Sequence, residues 1–106
     1  MIKQYSIVLT NLDPTVGSEI KKTRPCLVIS PNQMNFNLNT IIIAPLTSNT
    51  EKYPSRVEIK HNRKDRMIAL DQIKTIDKSR IIKIYDRVGG DIISDVKLFL
   101  HDMLIK

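Results

Sequence analysis

Short runs of apolar residues alternate with polar segments along most of this chain, up to the pair Gly89-Gly90. Charged and apolar positions alternate in segment 56–60, which is the period of a strand with one wet face, whereas the unbroken apolar run in 40–46 is typical of a buried strand. The pattern predicts strands at 5–12, 25–30, 40–46, 56–60, 67–73 and 81–88. Loops or turns are predicted at 15–23, 31–39, 47–54, 61–66 and 75–79. Pro31 is compatible with the first position of a short helical turn.

The spacing of apolar residues changes near the end of the chain. In the last predicted strand, Ile82 and Ile84 are expected to face the core and Lys83 the solvent. After the glycine pair, apolar residues recur at three- and four-residue spacing, which predicts an amphipathic helix carrying Ile92, Val96, Phe99, Leu100 and Met103. Asp91 is positioned to act as its N-cap or as an acidic residue of its first turn. The chain is therefore predicted to be mainly β, a small barrel or sandwich, with a C-terminal helix that covers an open end of the sheet or a partner chain.

Length and composition narrow the class of protein. The 106 residues, 42% of them hydrophobic, are enough for one domain, which we expect to span 1–106. The single cysteine excludes an intramolecular disulfide and favours a reducing compartment. No apolar run approaches the roughly 20 residues that a membrane span requires, and the N-terminus lacks the apolar segment of a signal peptide. A soluble, cytoplasmic protein without membrane contacts is expected.

The net charge of +6 has two interpretations. A basic domain attracts polyanions such as nucleic acids, because phosphate contacts release counterions. The same charge also serves as an ordinary solvated surface that keeps a small protein soluble. Charge alone leaves these alternatives open.

Several kinds of chemistry find no support in the sequence. No pair of cysteines or histidines has the spacing of metal ligands, and no glycine-rich phosphate loop opens a helix. His61 and His101 are expected to be solvated or structural, and Cys26 lies in an apolar strand and is expected in the core. We therefore predict neither a metal nor a cofactor.

Polar residues gather in the loops between the predicted strands, where function usually lies on a β scaffold. Five segments, in order, carry a resemblance to a known family: LDPTVGSEIKKTRP at 12–25, VISP at 28–31, APLTSN at 44–49, YP at 53–54 and LDQIKTIDK at 70–78. Together they resemble the MazF/PemK toxin ribonucleases over about residues 5–105.

The resemblance implies a small SH3-like barrel of the CcdB/PemK type with a C-terminal helix, assembled as a homodimer. It implies a metal-independent endoribonuclease that cuts single-stranded mRNA at a short sequence. It also implies a cognate antitoxin whose acidic, flexible tail covers the RNA-binding face. RNA and an acidic peptide would then compete for one positive surface.

The residue types agree with metal-free RNA cleavage, in which the 2′-OH of the substrate is the nucleophile. Arg24 matches a catalytic position of the family, and its planar fork binds phosphate oxygens bidentately. Thr47 is also matched and offers a hydroxyl donor to the same phosphate. Glu19 is chemically the easier general base, because a guanidinium stays protonated; it could equally pair with Lys21 or Lys22.

RNA contacts are predicted in the same loops. Gln72 could read a base edge through its amide, or could simply satisfy a turn at the end of a strand. The full set of predicted RNA-binding residues is Gly17, Ser18, Lys21, Lys22, Ser48, Asn49 and Gln72.

Two other classes share a small barrel. One is a toxin that poisons DNA gyrase without cutting RNA, which needs a protein-binding surface but no arginine–threonine pair. The other is an RNA-binding barrel without chemistry, which is disfavoured because aromatic residues make up only 5% of the chain and stacking platforms need them.

Overall fold

The computed structural model describes residues 1–12 and 23–105, and these ranges contain seven β-strands and two α-helices. The elements are β1 (Ser6–Asn11), β2 (Thr23–Val28), α1 (Asn32–Asn37), β3 (Thr40–Thr47), β4 (Arg56–His61), β5 (Lys64–Ala69), β6 (Lys74–Asp77), β7 (Ile81–Arg87) and α2 (Gly90–Leu104). Short 3-10 turns at Leu70–Gln72 and Lys78–Arg80 flank β6. Within the described ranges, no helix is both long and apolar enough to cross a membrane.

The strands form one antiparallel sheet in the order β4-β5-β3-β2-β1-β7. The long strand β3 changes partner along one edge: its first half, from Thr40 to Ile43, pairs with β6, and its end, at Leu46 and Thr47, pairs with β5. Because β3 serves both parts, the sheet curls into a half-barrel whose edge strands are β4 and β7. This confirms the predicted class, a mainly β, barrel-like fold with a C-terminal helix.

Side chains at alternating positions of the strands pack into two separate cores, as expected when successive residues of a strand point to opposite faces. The helix-side core lies under α2 and contains Tyr5, Ile7, Leu27, Ala44, Leu46, Val57, Ile68, Leu70 and Val96. The far-side core lies on the other face and contains Val8, Cys26, Val28, Ile41, Ile43 and Ile76. Cys26 is fully buried, as predicted.

The C-terminal helix follows the predicted apolar stripe. Gly89 is the N-cap, and Asp91 lies in the first turn, where its negative charge favours the positive end of the helix dipole. Val96 is buried, and Ile92 and Phe99 pack against the helix-side core. The helix therefore covers the face of the sheet that carries the helix-side core.

The turn between β2 and β3 is held by buried polar groups. Asn35 Nδ2 donates to the Ser30 carbonyl at 2.8 Å, and the backbone N–H of Ile42 donates to Ser30 Oγ at 3.0 Å. Pro31 is the N-cap of α1 rather than its first helical residue, so the predicted helical turn is displaced by one position.

Three predictions in the second half of the chain were wrong. Segment 61–66 is not a charged turn: the turn is only Asn62 and Arg63, which have the positive φ values 51° and 65° of a tight hairpin, and β5 begins at Lys64. The predicted strand at 67–73 ends at Ala69. Segment 75–79 is mostly strand β6 rather than a turn. Short strands whose charged residues face water carry too little apolar signal to be recognised.

The expected orientation of Ile82 and Ile84 was also wrong. Their side chains are 55% and 45% exposed, because β7 is an edge strand that the helix does not cover. Lys83 is exposed as expected, with its ammonium 4.9 Å from the centre of the Tyr85 ring. The edge of the half-barrel therefore presents an apolar strip.

Candidate functional site

Arg24 and Thr47 lie on neighbouring strands. The pairing of β2 with β3 places Cys26 opposite Pro45 and Val28 opposite Ile43. The pairing ends at Cys26 and Pro45, and Arg24 and Thr47 each lie two residues beyond it on their own strand. Residues two apart on a strand point to the same face. Arg24 therefore shares the face of Cys26, and Thr47 that of Ile43, which is the face of the far-side core.

The Arg24 guanidinium is available for a ligand. Arg24 is exposed at the start of β2, and among the described residues it forms no ion pair or side-chain hydrogen bond. On its other side, β1 places Thr10 opposite Arg24. A guanidinium provides several N–H donors in one plane, the geometry that suits phosphate oxygens, and in the described part of the chain no acidic group occupies the one of Arg24.

The loop after β3 orients the Thr47 hydroxyl. The backbone N–H of Asn49 donates to Thr47 Oγ1 at 3.2 Å, and that of Glu51 donates to Asn49 Oδ1 at 3.1 Å. Since Oγ1 already accepts one bond, its own proton is free to be donated elsewhere. Ser48 and Asn49 are exposed beside it. Thr47 is thus the half-buried end of a strand, and the next two residues are the exposed start of the loop.

The pKa of the Cys26 thiol depends on the charged groups that lie near this face of the sheet. Burial raises its pKa to about 11, and the Thr10 hydroxyl and the positive charges of Arg24 and Lys74 act in the opposite direction. A thiol with such a pKa remains protonated at neutral pH and is a poor nucleophile. Cys26 is therefore structural, and Arg24 and Lys74 both act on the face above it.

Gln72 lies on the 3-10 turn after β5, and the neighbouring Asp71 fixes that turn. Arg56 donates to both carboxylate oxygens, Nε to Oδ1 at 2.7 Å and Nη2 to Oδ2 at 3.1 Å, and Ser55 Oγ donates to Oδ1 at 3.0 Å. These hydrogen bonds, led by the one from Arg56, hold the pKa of Asp71 below its usual value. The Gln72 side chain is exposed next to this anchored pair.

The remaining predicted site residues lie outside the described ranges: Gly17, Ser18, Glu19, Lys21 and Lys22. Across the residues that are described, no group of three or more histidine, cysteine or acidic side chains could hold a metal ion. The sequence analysis missed Thr10 and Lys74. The alternation Lys74-Thr75-Ile76 was the available signal for Lys74, but segment 75–79 was assigned to a turn.

A depression of about 530 Å³ lies elsewhere, between β4, β5 and the start of α2. It holds Lys52, Lys60 and Arg66 together with Glu58 and Asp65, and the two carboxylates pair with Lys52 and Lys60, so most of its positive charge is compensated. We place the candidate site on the open face of Arg24 instead, since a phosphodiester chain requires accessible, uncompensated cations rather than an enclosed space.

Comparison with known proteins identifies the family to which the chain belongs. The family model of the PemK-like, MazF-like toxins of type II toxin–antitoxin systems matches residues 3–104. The chain belongs to this family, as the resemblance in its motifs predicted.

Solved structures agree with the fold over nearly the whole chain. An endoribonuclease from a mycobacterial species, solved with its cognate antitoxin, is similar with a TM-score of 0.83 and 16% identity over 98% of this chain and 95% of that one. The MazE–MazF structure from Deinococcus radiodurans gives 0.82 and 25% over 97% and 95%. The Mycobacterium tuberculosis toxin MazF-mt6 gives 0.78 and 15% over 92% and 93%.

Proposed function

We propose that this toxin is a sequence-specific endoribonuclease, a single domain spanning 1–106 that cuts single-stranded mRNA in the cytoplasm without metal or cofactor. The observation that supports it best is that Arg24 and Thr47 lie on the same face of the neighbouring strands β2 and β3, with Arg24 exposed and Thr47 half-buried. Relatives of the same fold that are described as endoribonucleases add to this support.

The proposed reaction uses the substrate's own 2′-OH. The 2′-oxygen bonds to phosphorus and its proton passes to a base; the bond from phosphorus to O5′ breaks, and O5′ takes up a proton. The products are a 2′,3′-cyclic phosphate, which water can open to a 3′-phosphate, and a 5′-OH. The transition state carries extra negative charge on the non-bridging oxygens. Arg24 and Thr47 donate hydrogen bonds to those oxygens and so lower the barrier.

We assign proton acceptance to Glu19, since a carboxylate is unprotonated at neutral pH and a guanidinium cannot accept the proton. The residue that protonates O5′ is left unassigned. We further propose that Gly17, Ser18, Lys21 and Lys22, which lie between β1 and β2 in the sequence, contact RNA.

On the other side of the proposed cleavage point, we propose that Ser48, Asn49 and Gln72 contact the bases. Each is exposed, and hydroxyl and amide groups can bond the edges of unstacked bases. Because Arg56 holds Asp71 by a hydrogen bond, the neighbouring Gln72 has a fixed position from which its amide can contact a nucleobase.

A cognate antitoxin with an acidic segment is the second proposed ligand. The net charge of +6 and the exposed cation at Arg24 favour an acidic peptide for the same reason that they favour RNA. The relatives solved with antitoxins support the assignment.

We also propose a homodimer formed along β7. This edge strand pairs only with β1 among the described strands and presents Ile82 and Ile84 to solvent, and an unprotected apolar edge is a site for association. The double variant Ile82→Lys, Ile84→Lys should be monomeric by light scattering. Phe36→Ser, which removes an equally exposed apolar residue on α1, should remain a dimer.

The experiment that tests the nuclease proposal is digestion of a long single-stranded RNA by the purified protein in EDTA, followed by end-mapping. Cleavage at a recurring short sequence, leaving cyclic phosphate and 5′-OH ends, is expected. Intact RNA, together with inhibition of gyrase supercoiling, would instead assign the chain to the gyrase-poisoning class.

A further inference from the structure

Lys74 is a second cation on the face of Arg24, and the motif analysis gave it no role. β6 places Lys74 opposite Ile43 and Ile76 opposite Ile41. Ile41, Ile43 and Ile76 all belong to the far-side core. Because opposed residues share a face, Lys74 emerges on the same side of the sheet as Cys26 and Arg24. Its influence on the Cys26 thiol agrees with this placement.

Arg24 and Lys74 are too far apart to hold one phosphate group. They flank β3 from opposite sides: Lys74 pairs with Ile43, whereas Arg24 lies two residues beyond Cys26, the partner of Pro45, so the two cations are offset by about four residues along β3. A straight strand separates such positions by about 13 Å along its length and the two outer strands by about 10 Å. The two cations therefore match different phosphates of one extended strand.

A groove begins at Lys74. It has a volume of about 390 Å³, and we call it the β6 groove; its described lining is Leu12, Lys74, Thr75, Ile76, Asp77 and Arg80. Leu12 packs against the far-side core, so the groove has an apolar wall together with two cationic side chains. An apolar surface edged by cations suits a base and its backbone phosphate.

The other charged groups leave Lys74 available. Asp77 Oδ1 accepts the backbone N–H of Ser79 at 2.8 Å, which holds the pKa of that carboxyl below its usual value, and Asp77 faces away from Lys74 by strand alternation. Arg80 Nη1 donates to the Asn11 carbonyl at 3.4 Å and so is tied to the end of β1. Lys74 itself forms no ion pair with any described residue.

We propose that the β6 groove is a subsite for a nucleotide flanking the cleavage point, in which Lys74 binds the backbone phosphate and the base lies against Leu12 and Ile76. This inference rests on the proposed ribonuclease function. It adds a determinant of affinity and of sequence preference at a position next to the cut, separate from Arg24 and Thr47.

The test is binding of a single-stranded oligonucleotide that spans the mapped cleavage site and carries a 2′-deoxy sugar at the scissile nucleotide, so that it cannot be cut. Fluorescence anisotropy at several salt concentrations gives the slope of log K against log salt. Lys74→Gln should weaken binding about tenfold at low salt and reduce the slope by about 0.7, the value for one phosphate contact with a single strand. Lys97→Gln removes an exposed lysine from α2, on the opposite face of the sheet, and should leave both quantities unchanged.

Truncated oligonucleotides locate the contact. When the flanking nucleotide that occupies the groove is removed, from one end or the other, wild type and Lys74→Gln should bind equally. A wild-type protein that cleaves RNA, with Lys74→Gln indistinguishable from Lys97→Gln on the full oligonucleotide, would overturn the subsite alone. A wild-type protein that neither binds nor cleaves RNA would overturn the ribonuclease function itself.

Discussion

His61 packs edge-to-face against Tyr85, with ring centroids 4.9 Å apart and planes at 86°. His61 is the last residue of β4 and Tyr85 lies in β7. This aromatic pair therefore connects the two ends of the curled sheet, whose strands do not pair with each other. Burial, and to a smaller extent the positive charge of Arg66, lowers the pKa of His61 below its ordinary value of 6.5. The contact between the two edge strands thus contains an imidazole whose burial favours its neutral form.

This arrangement predicts a pH-dependent stability. A histidine whose pKa is lower in the folded than in the unfolded chain stabilises the fold fully above the unfolded value, and the contribution is lost as the pH falls through 6.5 towards the folded value. The melting temperature should therefore fall between pH 7 and pH 5. His61→Phe keeps an aromatic ring and should flatten this dependence.

His101 is the matched control. It is exposed on α2, 4.0 Å from the Asp102 carboxylate, and has no part in closing the half-barrel. His101→Gln should keep the pH dependence of the wild type. An unchanged slope in His61→Phe would show that the aromatic pair does not control it.

The Arg56–Asp71 pair predicts a second stability effect. Arg56 is largely buried, with a 12% exposed side chain, whereas Asp71 is 37% exposed, so solvent screens part of the interaction. Asp71→Asn should lower the free energy of unfolding by about 1 kcal/mol at pH 7. The pKa of Asp71 is lowered, so its contribution is present above 3.8, and the difference from wild type should shrink as the pH falls below that value. Asp65→Asn breaks only the exposed pair with Lys60 and should change stability little in urea titrations.

Thr10 predicts a stabilising substitution. Its side chain is fully buried, and among the described residues Oγ1 has only the Cys26 thiol, a weak hydrogen-bonding group, as a polar neighbour. A buried hydroxyl without a strong partner costs free energy, and valine has the same shape without the hydroxyl. Thr10→Val should stabilise the fold by about 1 kcal/mol and raise the melting temperature by about 4–8 °C. Thr10→Ser keeps the hydroxyl but loses the methyl group and should destabilise; a less stable valine variant would mean that the hydroxyl is satisfied.

The elements that could be predicted from sequence are those with a strong apolar period. Strand β3 and helix α2 are such cases, because each buries a continuous or helical stripe. Strands β5 and β6 were missed or misplaced, since half of their residues are polar and their strand character comes from pairing with β4 and β3. The exposure of Ile82 could not be predicted either, because it depends on β7 being the edge of the sheet.

The residues of the candidate site also fall into those that could be predicted from the sequence and those that could not. Arg24 and Thr47 were found from motif resemblance, but their adjacency depends on the β2–β3 register, which no local pattern specifies. Lys74 and Thr10 could not be recognised as neighbours of Arg24 until the partners of β6 and β1 were known. The residue types suggested the proposed chemistry, whereas the pairing of the strands was needed to show that these residues share one face of the sheet.

The central claim is that Arg24 and Thr47 act on one phosphate, and a double-mutant cycle on RNA cleavage tests it most directly. Arg24→Ala and Thr47→Val should each reduce kcat/KM about 100-fold or more while circular dichroism stays that of the wild type. Arg63→Gly, which removes an exposed arginine at a turn position with positive φ, should cleave normally. Because the two groups stabilise the same charge, the double variant should be little slower than the slower single variant. Losses that multiply in the double variant, or single variants as active as the wild type, would contradict the account.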